Sequence, residues 1–440
     1  FELPEGWEWT RLQAICEPIT DGTHKTPTYS DEGFIFLSSK NVTSGHIDWD
    51  NIMYIPESLH NELYARLAPQ KNDILLAKNG TTGVAAIVDR DCIFDIYVSL
   101  ALLRIIGYII SPEYLLSTIA SSTIQNYFNS SLKGIGVPNL HLEHIRTTLI
   151  PVAPINEQYR IATKLEQLLS FADNIESDKT DLQTTIQLTK SKILDLAIRG
   201  KLVKQNPDDE PASVLLDRIR AEKEELIKQG KIKRDKKESV IFRGEDNSYY
   251  LRMGNLIETL DDWRINDIPY SWGICCLGEV CDYGNCTNVD TKDIPKTAWI
   301  LDLEDIEKDT GKVSQKLTLK ERNSASTKHS FHKGQVLYSK LRPYLNKVVL
   351  VDDDGYCTSE ILPLDFNKYI LPEYAKYYLM SPTFLRYANH CSYGVKMPRL
   401  GTLDGRKAVL IVPPVNEQKR IADKVSQLFS LLDSIADNVN

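Results

Sequence analysis

The chain has 440 residues, long enough for two or three domains, and its 42% hydrophobic and 25% charged residues are those of an ordinary globular protein. A net charge of −8 argues against a protein that coats nucleic acid without selecting sequence, but leaves room for a reader that makes few phosphate contacts. Eight cysteines suggest no disulfide framework, and the longest apolar stretch, 93–110, is interrupted by Asp95 and Arg104 and is too short to span a bilayer.

Residues 1–152 read as a mixed α/β domain. Short apolar runs at Phe34–Leu37, Asp73–Ala77 and Val84–Val88, separated by Gly, Pro, Asn and Thr, predict strands. One helix is expected after Pro112, with Tyr114, Leu115, Ile119 and Tyr127 on its apolar face. A much longer helix starts at Asn156, a good N-cap, with Glu157 in its first turn. Its apolar positions alternate steps of four and three through Ile161, Leu165, Leu168, Ile175, Leu182, Ile186 and Ile193, broken only at Lys179 and Thr189. That is a heptad seam, and some forty residues make a rod of about 60 Å, far longer than one domain needs to cover its own core.

The stretch 153–240 continues after Gly200 with a second helix. Pro211 suits its first position, Val214, Leu215, Ile219, Leu226 and Ile227 make one face, and Gly230 stops it. A basic run follows from Lys228 to Lys237 and reads as a solvated linker in preference to a phosphate contact. A second domain, 241–413, opens near Trp263 or Trp272. Cys275, Cys276, Cys281 and Cys286 cluster there without the CxxC pairs of zinc modules, and read as buried or free thiols. Asp352-Asp353-Asp354-Gly355 reads as a hairpin turn. The last stretch, 414–440, is again heptad, with Ile421, Val425, Leu428, Leu432, Ile435 and Val439 in the seam.

The chain repeats itself. Pro154-Ile155-Asn156-Glu157-Gln158-Tyr159-Arg160-Ile161-Ala162 recurs 260 residues later as Pro414-Val415-Asn416-Glu417-Gln418-Lys419-Arg420-Ile421-Ala422. The same offset relates Pro112-Glu113-Tyr114 to Pro372-Glu373-Tyr374, and Gly134, Pro138 and Leu140 to Gly394, Pro398 and Leu400. So long a period means a duplicated domain, not a solenoid. The fold class expected is α+β, with two α/β domains and a pseudo-two-fold internal repeat. Two heptad helices in one chain most simply pack on each other.

These features together resemble the specificity subunit of type I restriction–modification systems. The two Pro-x-Asn-Glu-Gln-x-Arg-Ile-Ala helix starts carry the resemblance. So do the opening Leu3 to Trp7, Asp21-Gly22-Thr23-His24-Lys25-Thr26-Pro27, Gly80-Thr81-Thr82-Gly83, Leu337 to Lys347, and the central stretch from Ala197 to Lys233. The resemblance implies two target-recognition domains held apart by a long antiparallel coiled coil, each reading one half of a split sequence in double-stranded DNA. It implies two adenine methyltransferase subunits and restriction/translocase subunits as partners, with S-adenosylmethionine, ATP and Mg on those partners and no cofactor on this chain. The chain departs from the pattern in its last helix, which has about half the length of its twin; either a shortened C-terminus or a shorter repeat in this member is expected, which leaves the completeness of the second methyltransferase contact surface open.

The residues expected at DNA lie in loops rich in small polar and basic side chains. They are Thr23, His24, Lys25, Lys40, Asn41, Lys78, Asn79 and Lys133 in the first domain. In the second they are Lys340, Arg342, Tyr344, Asn346, Lys347, Tyr393, Lys396 and Arg399. Arginine can bond two acceptors on guanine and asparagine two groups on adenine, while Lys and Tyr hold phosphate. Each has a plain alternative as a turn, a cap or an ion pair. No catalytic centre is expected. Walker, amino-methyltransferase and nuclease motifs are missing, Gly134-Ile135-Gly136 is too short for a nucleotide loop, and His329 and His332 lack a carboxylate partner for a metal. No signal peptide is visible and the first residue is Phe rather than Met, so a trimmed start and a cytoplasmic protein with no membrane contact are expected. Two rivals stand beside this reading: a two-lobed scaffold that binds no DNA, and a fused restriction–methylation enzyme cut short.

Overall fold

The computed structural model describes the chain apart from residues 1, 44, 133–137, 233–238, 247, 261–267, 323, 367 and 439–440. It divides into two compact units, Phe1–Ser177 and Asp178–Asn440.

The first unit is built around the strand Ile74–Ala77, whose four residues are all buried. It pairs antiparallel with Leu100–Ile105 on one side and Ala85–Ile87 on the other, and Cys16–Asp21 completes a four-stranded sheet. Alternate residues of the central strands enter two different cores. Ile74, Leu76, Ala101 and Leu103 pack with Ile19, Leu115 and Phe128, while Leu75, Ala77, Leu100 and Leu102 pack with Leu37, Val42 and Phe94. Two covered faces explain why these strands read as unbroken apolar runs rather than as alternation. A second sheet places Phe34–Leu37 between Met53–Ile55, antiparallel, and Phe94–Ile96, parallel. Strands Glu8–Arg11 and Leu149–Val152 pair and bring the two ends of the domain together.

The single helix expected after Pro112 is two. Pro112–Ala120 is capped by the Ser111 hydroxyl, which accepts from the Tyr114 N–H at 3.1 Å, and Ser122–Ser130 starts afresh with Ser121 as its cap. The break turns Ile124 and Phe128 into the core and leaves Tyr127 exposed.

The second unit repeats the plan with larger additions. Gly273–Cys276 pairs with Val409–Val412, and Val336–Ser339 lies between Val348–Leu350 and Ile361–Leu364. A five-stranded sheet runs Asn288–Val289, Lys328–Phe331, Gly355–Thr358, Trp299–Leu301, Leu317–Thr318. Asp352–Gly355 is therefore not a hairpin turn. The strands on either side of it belong to different sheets, and Lys316 binds Asp352 and Asp353 at 2.8 and 2.6 Å. Trp272 precedes the first strand of the repeat; Trp263 lies outside the described residues. The helix after Gly200 spans Ala212–Lys228, with Pro211 as its cap rather than its first residue. A three-stranded antiparallel sheet, Ser239–Arg243, Tyr249–Met253 and Leu256–Thr259, follows the basic run, which the sequence reading leaves as linker.

The repeated Asn-Glu-Gln motif has one role common to both units. Gln158 is fully buried. It accepts from the Ser111 N–H at 2.9 Å and donates to the carbonyls of Ile109 and Ala153. Gln418, equally buried, accepts from the Leu371 N–H at 2.9 Å and donates to Tyr369 and Pro413. Each glutamine thus ties a long helix to its own domain through backbone groups that would otherwise be buried unpaired. Tyr114 and Tyr374 repeat too, their hydroxyls donating to Pro151 and Ile411.

The long helix spans Ile155–Ile198 and the last helix Val415–Asp437. In the heptad seam, Ile186, Ile193, Ile421 and Val425 are buried, Ile161, Leu182, Leu428 and Leu432 are partly buried, and Leu165, Leu168, Ile175 and Ile435 are exposed. Val439 lies outside the described residues. A seam buried along its whole length, as the periodicity predicts, is therefore present only towards Ile186–Ile193. In the second unit Ile193, Leu194 and Ala197 share a core with Ile421, Val425 and Phe429. Lys190 pairs with Asp433 and lies 5.4 Å from the Phe429 ring centroid.

Candidate nucleic-acid interface

In the first unit the loop after the central strand begins at Lys78. The Lys78 N–H donates to Ser99 O, Lys78 O accepts from the Leu140 N–H, and Asn79 bridges to Asn139. The next residue, Gly80, has φ +79°. In the second unit the loop after Val336–Ser339 begins at Lys340 and makes the same pattern. Its N–H donates to Glu360 O, its carbonyl accepts from Leu400, and Leu341 bridges to Arg399. The next residue, Arg342, also lies in the left-handed region, at φ 50°, ψ 62°. Two loops thus have one backbone path, but one carries glycine and the other arginine at its turning point.

The left-handed conformation costs a residue with a Cβ about 1–2 kcal/mol, and glycine is the usual occupant. Arg342 is held there by its N–H on Pro398 O at 2.7 Å and by a turn, Pro343–Leu345, closed at Asn346, itself at φ 48°. Its Nε is buried and has no hydrogen-bond partner among the described residues. A strained backbone carrying an unsatisfied guanidinium nitrogen is a feature of functional sites. Beside it, strands Ser392–Tyr393 and Arg399–Leu400 form a hairpin whose tip exposes Tyr393, Val395, Lys396 and Met397. Tyr344 is exposed on the loop itself. Lys340, Arg342, Tyr344, Tyr393 and Lys396 are therefore brought together on two segments bonded edge to edge.

Other candidates are engaged inside the protein. Arg399 forms a fork with Glu360 at 3.0–3.3 Å, and that bond holds its guanidinium pKa above the ordinary value. Asn346 is buried and donates to Met380 O at 3.2 Å. Lys347 donates to Leu303 O at 2.6 Å, and burial lowers its pKa. In the first unit Asn41 is buried: its Oδ1 accepts from the Ser38 N–H, and its amide donates to Asp48 and Asn51. Lys78 is 4% exposed and paired with Asp21 at 2.5 Å. These five side chains are committed to partners within the protein, and for the buried Asn41, Lys78 and Asn346 that is because a buried charge or amide must be paired. Thr23 is buried in a strand-like bridge to Tyr97, which needs Gly22 beside it. A Cβ on Gly22 would meet Ile96 O at 1.9 Å.

His24, Lys25 and Lys40 remain exposed, and Asn79 is half-buried with an unpartnered Oδ1. Lys133 and the Gly134-Ile135-Gly136 stretch lie outside the described residues. The sequence reading missed Asn139, Val395 and Met397. The Tyr393-Gly394 pair, with Gly394 at φ +105°, is the signal that could have marked an exposed tip. His329 is buried on a strand and bonds Ile361 O at 2.9 Å, while His332 is exposed, so the pair does not form a metal site. Among the described residues no cluster of three His, Cys, Asp or Glu could hold a metal, and no helix is long and apolar enough to cross a membrane.

A family model for the type I restriction modification DNA specificity domain matches residues 4–183 and 269–439. The chain is 27% identical over 313 residues to the type I restriction enzyme EcoDI specificity subunit of Escherichia coli, a match covering 70% of this chain and 61% of that one. It is 28% identical to the EcoBI subunit, over 50% of this chain and 49% of that one, and 22% identical to the EcoEI subunit, over 99% and 80%. The chain thus spans about half to three fifths of the length of the first two. Among solved structures, the HsdS subunit from Thermoanaerobacter tengcongensis superposes with a TM-score of 0.53 at 17% identity, covering 100% of this chain and 93% of that one. A chain from a structure of complex assembly and conformational transition in the type I R-M system gives 0.59 at 18%, covering 100% and 94%. At such identities the likeness is one of fold.

Proposed function

The chain belongs to the type I restriction modification DNA specificity family, and from that premise we propose that it is the non-catalytic subunit that reads a bipartite site in double-stranded DNA, one half per lobe. One observation carries this reading. The loops at Lys78–Gly80 and Lys340–Arg342 follow the same hydrogen-bonded path on the same kind of strand yet present different side chains. A shared scaffold with unlike tips is what reading two unlike half-sites requires, because base edges specify while the backbone contacts only position.

The two heptad helices act as an antiparallel spacer between the lobes. The approach of Lys190 to Asp433, and the core that Ile193, Leu194 and Ala197 share with Ile421 and Val425, support this arrangement. Base edges rotate with the duplex, so a stiff spacer fixes which bases face each lobe. The exposed apolar positions Leu165, Leu168 and Ile175 offer a docking stripe for a methyltransferase subunit. Two methyltransferase subunits and the restriction/translocase subunits complete the complex and carry S-adenosylmethionine, ATP and Mg. The host adenine is taken out of the stack by the methyltransferase, not by this chain.

Exchanging residues 1–152 for those of a relative tests the reading. Methylome sequencing of cells carrying the chimaera should show one half of the modified site changed and the other kept. A chimaera that changes both halves, or neither, would sink it.

A further inference from the structure

The two stretches matched by the family model leave 184–268 between them, and that interval contains the three-stranded sheet Ser239–Arg243, Tyr249–Met253, Leu256–Thr259. Its inner face is explained: Ile241 and Leu251 pack with Leu260, Ile274 and Cys276. The opposite face carries the alternate residues. Register pairs Phe242 with Tyr250 and Thr259, and Val240 with Arg252 and Ile257. The rings of Phe242 and Tyr250 are stacked, 5.7 Å apart and 25° from parallel, and the Arg252 guanidinium lies 5.7 Å over Phe242. The Tyr250 hydroxyl donates to Asp246 at 2.7 Å, which fixes its ring. Phe242, Arg252 and all four residues of the edge strand are exposed.

The stretch of sequence that carries this sheet is basic. Residues 228–260 hold eight Lys and Arg against five Asp and Glu, in a chain whose net charge is −8. A column of two rings and a guanidinium, exposed at Phe242 and Arg252 and half-buried at Tyr250, within a stretch of cationic sequence complements a ligand with planar faces and negative charge. We propose that this face binds single-stranded DNA, one base extending the Arg252–Phe242–Tyr250 column and the backbone held by the neighbouring cations. A duplex does not suit a stacking column, since paired bases keep their faces stacked on one another. The choice of DNA over RNA rests on the proposed function above; the stacking surface itself does not.

The test uses the full chain and a labelled oligothymidylate of roughly fifteen nucleotides, read by fluorescence anisotropy at low salt. Phe242→Leu and Arg252→Gln should each weaken binding about tenfold, and Phe242→Trp should preserve it. Arg252→Gln should also reduce the salt slope by about one counterion if its cation holds a phosphate. Unchanged melting curves separate this from misfolding. Wild-type affinity in both weakening variants would overturn the proposal, as would tighter binding of a duplex or of oligouridylate. So would loss of methyltransferase-subunit capture with oligonucleotide binding intact, which would make the face a protein contact. Methylation of the target duplex by the assembled complex is read separately, so failure of the DNA-recognition reading is distinguishable from failure here.

Discussion

Arg342→Gly should make the second unit more stable while it disables DNA recognition. Most truncations of half-buried side chains destabilise, so the sign is informative. Glycine removes the left-handed penalty of about 1–2 kcal/mol. It also removes the orphaned Nε, whose burial costs about 1–3 kcal/mol. Against these stand the greater unfolded-chain entropy of glycine, about 0.5–1 kcal/mol, and the lost packing of the arginine stem, about 1 kcal/mol. The balance favours glycine by about 1 kcal/mol, which raises the melting temperature by about 2–4 °C. Arg342→Ala keeps the backbone strain but avoids the glycine entropy cost, so it should fall about 0.5–1 kcal/mol below the glycine variant, the strain less that entropy. Thermal and denaturant melts measure both. In a mobility-shift assay with the methyltransferase subunit present, either variant should lose about five- to 150-fold in specific affinity, the worth of a good arginine–guanine contact at about 1–3 kcal/mol. A glycine variant that melts several degrees lower with its specific binding intact would mean that the arginine serves the fold, and the reasoning from strain would be refuted.

Gln418→Ala should cost about 3 kcal/mol, because it strands the Leu371 N–H and two carbonyls in a dry site, and Gln418→Glu should be no better, since a carboxylate would face the Tyr369 and Pro413 oxygens; denaturant melts check both. Asp209 accepts from Arg420 Nη2 at 2.6 Å, and that bond lowers its pKa below the ordinary carboxylate range. Its stabilising contribution is therefore present above the unfolded-state pKa of about 3.9 and lost as pH falls through the lower folded value. Hydrogen exchange in 203–209 should rise as pH is lowered through that window, after correction for intrinsic rates. The Asp209→Asn variant should show raised exchange already at neutral pH and a flatter response to acid.

Much of the framework could be read in the sequence, for reasons that are local. Phe34–Leu37, Ile74–Ala77 and Ala85–Ile87 are apolar runs because both of their faces are covered, and the 260-residue repeat marks two domains because Gln158 and Gln418 make the same bonds. What was misread depends on partners far away in the chain. Asp352–Gly355 has the composition of a hairpin turn, but its flanking strands pair with Val336–Ser339 and Lys328–Phe331. Ser121 looks like an interior helix residue until its hydroxyl is seen capping a new helix. The sheet at 239–259 was hidden by the basic run before it and by arginines within its strands, although Gly244 and Gly254 punctuate its two turns. The candidate site fared worst, because loop composition does not reveal burial. Lys78 and Asn41 have the right chemistry for DNA and are spent on Asp21 and on a 3-10 turn.

The duplication separates scaffold from reading surface without any other sequence. Where both units keep the residue and the bond, as at Gln158 and Gln418 or Tyr114 and Tyr374, the residue answers to the fold. Where they keep the backbone path but change the side chain, as at Gly80 and Arg342 or Asn79 and Leu341, the fold tolerates either residue and the difference is free to encode specificity. A third class keeps the residue but not the bond. Glu417 accepts from Trp272 Nε1 at 2.9 Å, and Arg420 holds Asp209, whereas Trp7 Nε1, at the place in Pro4-Glu5-Gly6-Trp7 that Trp272 has in Pro269-Tyr270-Ser271-Trp272, has no partner among the described residues, and Asn156 and Arg160 are exposed. An orphaned, buried indole N–H is costly within one unit alone. The recurrence of Asn-Glu-x-x-Arg in the first copy is therefore not accounted for by bonds like those Glu417 and Arg420 make in the second; if it serves assembly, an Asn156→Ala, Arg160→Ala variant should capture the methyltransferase subunit less well with an unchanged melting curve, and unchanged capture would refute that role.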